Sequence, residues 1–162
     1  MQRIFSALSA VLLAALLLAS CGSAPPPEAL LQAFCEAYTD LPAGQVYHSG
    51  RQEWEEGYLS PTLADALFLE DNGENAFSLC SEYAIFLSSS FEGGEIAFLS
   101  CTGGEDSVRV AEMCAARLGR VKQVRPGCAI LQGACVLRSG STVFLLMLPD
   151  SARAREVCDR LL

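Results

Sequence analysis

Two hairpin patterns, each followed by a helical one, predict an α+β domain with an antiparallel sheet for this 162-residue chain. Residues 83–87 (YAIFL) and 96–99 (IAFL) are short apolar runs on either side of Phe91-Glu92-Gly93-Gly94, the pattern of two strands joined by a glycine turn. Residues 129–137 and 142–148 repeat it around Ser139-Gly140. Residues 83–87 and 143–148 (VFLLML) are apolar without alternation, and a sheet with one wet face does not tolerate that. We therefore expect four antiparallel strands built from two hairpin–helix units. Both later helices lie on one face, and two N-terminal helices cover the other.

The elements follow in chain order. Residues 1–20 read as a signal peptide. Arg3 supplies the basic start, and residues 4–19 are apolar apart from Ser6 and Ser9, a run too short for a spanning helix. Leu18-Ala19-Ser20-Cys21 closes it, and Gly22 follows. Residues 21–27 (CGSAPPP) form an anchor and an extended, proline-stiffened tether. Residues 28–162 are read as one domain. Its first helix spans 28–38, with Leu30, Leu31, Phe34, Cys35 and Tyr38 at three- and four-residue steps and Glu28 suiting the helix dipole. Residues 40–59 are broken by Pro42, Gly44, Gly50 and Gly57, and only Gln45-Val46-Tyr47 looks extended.

Ser60-Pro61 starts a second helix, with a capping hydroxyl and a first-turn proline. It buries Leu63, Leu67 and Phe68 and ends by Glu70. After the first hairpin, Thr102-Gly103-Gly104 leads into a helix over 105–118. Its expected apolar face is Val108, Ala111, Cys114, Ala115 and Leu118, and Gly119 closes it. Gly133 interrupts the 129–137 strand as a bulge. Asp150 or Ser151 caps a final helix that runs to the end of the sequence.

The formal net charge of −8 argues against nucleic acid and anionic headgroups as partners. Without Cys21, seven cysteines remain: Cys35, Cys80, Cys101, Cys114, Cys128, Cys135 and Cys158. An odd number leaves at least one unpaired thiol in a monomer. No pair has the CxxC spacing of a zinc or redox motif, and export would permit disulfides. Cys80 and Cys101 bracket the first hairpin almost opposite one another, so a Cys80–Cys101 disulfide is expected if the register is right.

Other motifs read plainly. Gly103-Gly104 resembles a phosphate loop, but Glu105 and Asp106 occupy the positive helix end and repel phosphate. His48, the only histidine, reads as a surface residue without a nucleophile partner. Glu53, Trp54, Glu55 and Glu56 join three acids to the only tryptophan. This is the best ligand loop present, for a cation, a basic peptide or a sugar ring. Its plainer reading is a solvated acidic loop with Trp54 tucked into the core. No metal, cofactor or catalytic set is expected.

Leu18-Ala19-Ser20-Cys21 resembles the lipobox of bacterial lipoproteins. That resemblance implies transfer of a diacylglyceryl group to Cys21, cleavage before it, and a further acyl chain such as palmitate. Two chains hold a protein on a membrane stably, at roughly 0.8 kcal/mol per buried CH₂. The wider chain resembles a family of small lipoproteins of Gram-positive gut bacteria that carries only a domain-of-unknown-function label, number four-three-five-eight. The matching segments are the lipobox, Leu41-Pro42-Ala43-Gly44, Tyr58-Leu59-Ser60, Glu95-Ile96-Ala97, Ala116-Arg117-Leu118 and Thr142-Val143-Phe144-Leu145. The chain departs from the family in its cysteine count and at Arg125-Pro126-Gly127. No site residues carry over.

The expected protein is a non-enzymatic binding or assembly module on the extracytoplasmic face of the cell membrane. It is held there by lipid on Cys21, with a membrane protein as its possible partner. The resemblance also implies an accessory role beside membrane O-acyltransferases for surface polysaccharides. A thiol-dependent enzyme is the third class, and it would need a cysteine of low pKa.

Overall fold

The computed structural model describes residues 25–70, 73–90 and 94–161; Cys21, its lipobox and the signal segment lie outside them. Four α-helices and five strands are described: α1 (Pro27–Ala37), β1 (Gly44–His48), α2 (Pro61–Phe68), β2 (Cys80–Ser88), β3 (Glu95–Cys101), α3 (Gly104–Val124), β4 (Cys135–Ser139), β5 (Thr142–Met147) and α4 (Ser151–Leu161). Short 3₁₀ turns, Ala76–Leu79 and Ala129–Leu131, precede β2 and β4. The fold class is α+β, as the hairpin pattern predicts.

The sheet is antiparallel throughout and runs β1-β2-β3-β5-β4. It has five strands where four were expected. The short extended stretch around Val46 pairs fully with β2, with Gln45 opposite Leu87 and Tyr47 opposite Ile85. Pairing with a neighbouring strand supplies hydrogen bonds that its own five residues, broken at both ends, do not advertise.

Both faces of the sheet are covered, as their unalternating apolar runs require, but the helices divide differently from expectation. One core joins Ile85, Leu99, Val143 and Leu145 to α2 and α3 through Leu67, Phe68, Val110 and Met113. The other joins Phe86, Phe98, Phe144 and Leu146 to α1 and α4 through Leu30, Phe34, Val157 and Cys158. Each face thus takes one early and one late helix. The two N-terminal helices do not share a face, and neither do the two later ones. The reason is topological. The α3 crossover carries the chain past the place β5 will occupy, and the chain leaves β5 on the opposite side.

Aromatic packing marks the second core. Phe98 meets Phe34 and Phe144 edge to face at 5.8 and 5.1 Å, and Phe34 stacks on Tyr38 at 5.5 Å. Arg153 of α4 lies over the Tyr38 ring at 5.2 Å and pairs with Asp40. Asp150 caps α4 by accepting from the Arg153 N–H at 3.1 Å.

Other boundaries also move. Pro27 is buried at the first position of α1 rather than ending the tether. α3 passes through Gly119 and stops only at Arg125, before Pro126. Its buried stripe is Ser107, Val110, Met113, Cys114, Leu118 and Val121, so Val108 and Ala115 are exposed. In the 129–137 stretch, Gly133 adopts φ +85° and splits a 3₁₀ turn from the shorter β4. Among the described residues, no helix is long and apolar enough to cross a membrane.

Candidate functional site

An open groove of about 1040 Å³ lies against β1, reaching from Leu87–Ser89 at the end of β2 to the loop that follows β1. Gly44, Val46 and His48 form one side, and Arg51, Glu55 and Glu56 come from the loop that follows. The ladder dictates what the strand presents there. Ser49 N–H donates to the Tyr83 carbonyl and Ser89 N–H to the Ala43 carbonyl, each at 3.0 Å. Odd-numbered residues therefore turn their peptide groups toward β2, and Gly44, Val46 and His48 turn theirs outward. Gly57 takes the His48 N–H on its carbonyl at 3.1 Å. The outward N–H and C=O of Gly44 and Val46 have no hydrogen-bond partner among the described residues. An unpaired strand edge of this kind is a template for a further strand.

The 49–57 loop folds onto itself and then back against the strand. Glu55 N–H donates to the Gln52 carbonyl at 2.8 Å, and Gln52 N–H donates to Glu55 Oε2 at 2.9 Å. Gly57 is buried at φ +83°, and a Cβ there would lie 2.9 Å from the Val46 carbonyl oxygen. Only glycine combines that conformation with that approach.

Glu53 and Trp54 occupy the two corners of the Gln52–Glu55 turn. Trp54 is 80 % exposed, which overturns the expectation that it tucks into the core. A self-bonded turn holds its corner side chains away from the body of the domain. The four residues of the predicted ligand loop therefore divide. Glu55 and Glu56 line the groove, and Glu53 and Trp54 are exposed outside its lining.

His48 is not the surface residue expected, because its side chain is only 14 % exposed. Arg51 Nε donates to His48 Nε2 at 2.8 Å, which leaves the ring proton on Nδ1, facing Glu28 Oε2 at 3.6 Å. This contact joins the first turn of α1 to the end of β1. Glu55 and Glu56 line the groove with Arg51, whose guanidinium is already engaged with His48.

Sequence reasoning missed Gly44, His48 and Glu28 as site residues. The only signal for them was the short extended stretch beside the acidic loop. It also missed a buried ion pair. Glu95 is 5 % exposed, and its Oε2 accepts from Arg117 Nη2 and Nε at 2.9 and 3.2 Å. Glu95 Oε1 is buried without a partner. The clue was an arginine three residues past Cys114, on the apolar stripe of α3.

Cys80 and Cys101 are Cα partners across the β2–β3 ladder, beside a bulge that shifts the register between Cys80 and Glu82. The two stand opposite one another as the hairpin reading expects, and both cysteines are free thiols in the structure. Burial pushes the thiols of Cys35, Cys80, Cys101, Cys114 and Cys135 up, and that of Cys158 up to about 12. At the helix start, Thr102 Oγ1 donates to Asp106 Oδ2 at 2.9 Å, an acidic first turn of the kind expected. No family model, curated protein or solved structure matches this chain. The lipoprotein resemblance rests on the segments quoted above.

Proposed function

We propose that this protein is a lipid-anchored extracytoplasmic binding module that captures an extended basic peptide segment on the open edge of β1. The outward, unpartnered peptide groups of Gly44 and the outward N–H of Val46, beside the groove, carry the reading; the Val46 carbonyl is covered by Gly57. Main-chain pairing supplies affinity in strand addition, and the alternate side chains of the guest supply specificity. Charge selects the guest, since Glu55 and Glu56 line the groove and favour lysine or arginine on it. The raised thiols weigh against thiolate chemistry at those cysteines.

The anchor sets where the guest must be. Cys21 to Pro26 reaches at most about 20 Å, at roughly 3.3–3.6 Å per residue. α1 starts beside His48 through Glu28. The groove is then held close to the bilayer surface, within reach of the extracytoplasmic segments of a membrane protein.

An alternating Val-Lys octapeptide serves as the probe, read by the fluorescence of Trp54. We expect a saturable change that a Val-Glu octapeptide does not produce. Val46→Pro removes the outward N–H and abolishes it, and Glu55→Lys with Glu56→Lys weakens it at least tenfold. Equal response to both peptides, or full binding by a folded Val46→Pro protein, would sink the proposal. Cys21→Ser tests the anchor separately, by release of the protein from the membrane or failure of its cleavage.

A further inference from the structure

We propose that the cavity between the sheet and the C-terminal half of α3 is a binding site for a small uncharged molecule with an apolar, ring-sized body and one O–H or N–H donor. Glu95 and Arg117 both line this cavity. The donor of the guest meets the carboxylate oxygen of Glu95 that Arg117 leaves unpaired.

The strand places that carboxylate where an apolar side chain belongs. Side chains alternate along β3, so Glu95 shares a face with Ala97 and Leu99, which belong to the α2 and α3 core. Its ladder partners are Leu87 and Met147. A charge among such neighbours is costly unless it is paired and fully hydrogen-bonded. Arg117 meets only part of that requirement. Both of its hydrogen bonds go to Oε2, at 2.9 and 3.2 Å, while Oε1 is buried without a partner among the described residues. The Glu95 side chain is only 6 % exposed. A buried acceptor that the protein leaves unmet calls for a donor from elsewhere.

Size and charge narrow the guest. The cavity holds about 170 Å³, and an apolar cavity of about 150 Å³ accommodates benzene, so the space suits one six-membered ring. Leu67, Leu87, Val121, Ile130 and Met147 give it an apolar wall. Arg125 lines it as well as Arg117, and two guanidiniums against one carboxylate disfavour a cation. An anion would face the unpaired oxygen of Glu95. Ser88 does not supply the donor, because its hydroxyl donates to the Ala43 carbonyl at 3.2 Å and accepts from the Ser90 N–H at 3.0 Å. An uncharged donor on an apolar body is the class that remains. Leu87 and Ser88 border both this cavity and the β1 groove, but the inference does not rest on the peptide-binding reading.

The test uses the full chain with Cys21→Ser in mild detergent, isotope-labelled at its methyl groups and followed by NMR. Phenol is the probe. Toluene is the control, because it has the same shape with a methyl group in place of the hydroxyl. At matched free concentrations we expect saturable phenol shifts at the Ile130 and Val121 methyls. Toluene should bind at least about tenfold more weakly, since it leaves Oε1 unmet. Absence of saturable phenol shifts there, or toluene binding as tightly as phenol, overturns the proposal. Val121→Phe fills part of the cavity from α3 and should abolish the phenol shift at Ile130. Full phenol binding by that variant, with its other methyl signals native, would place the guest elsewhere and overturn the site. The peptide experiment reads Trp54 fluorescence, so either proposal can fail alone.

Discussion

Glu95 and Arg117 show how one residue pair can hold a large share of a small domain's stability. The carboxylate is almost fully buried, and Arg117 supplies both hydrogen bonds to its Oε2. Removing the cation leaves a buried charge without compensation, which costs about 3–5 kcal/mol. Arg117→Met should therefore lower the denaturation midpoint sharply, and Glu95→Gln with Arg117→Met should recover part of the loss. Urea titration followed by circular dichroism measures both. Phe98 is the apolar counterpart. It is fully buried and touches two other rings, so Phe98→Ala should cost about 3–5 kcal/mol by the same measurement.

At the scale of the element, α3 carries the clearest conflict between local signal and outcome. Gly119 reads as a helix end, but the helix continues for another turn and more. Burial of Val121 against the α2 and α3 core keeps it going. A glycine inside a helix costs roughly 0.5–1 kcal/mol relative to alanine. No atom lies within 4 Å of a Cβ built at Gly119. Gly119→Ala should therefore stabilise the protein by about that amount, seen as a higher midpoint with an unchanged slope. β1 is the converse case. Its five residues have weak local preference, and the strand exists because β2 offers it a ladder. That is also why its other edge is left open at the groove.

The whole molecule is a sheet clamped between two helix pairs, with thiols in both interfaces. In the reduced protein those thiols tie stability to pH. Folding raises their pKa values, so an unfolded chain releases these protons first, at about pH 9, while the folded Cys158 holds its own to about 12. Their contribution is complete below the unfolded value and is lost as pH rises through that window. Urea midpoints of the reduced protein should be flat from pH 6 to 8 and fall progressively above 9.

From the sequence by itself came the α+β class, both hairpins, the covered faces, the Cys80–Cys101 register and the acidic loop. These rest on short-range chemistry: apolar runs of strand length, glycine turns, capping residues and charge. Tertiary structure alone decided which helix covers which face, that α3 outlasts Gly119, that Trp54 stands in solvent and that β1 leaves an open edge. It also brought Glu95 to Arg117 and Glu28 to His48. Each of these depends on where a crossover carries the chain relative to a strand not yet formed. Periodicity specifies which side of an element is apolar, but only the assembled sheet specifies what meets it.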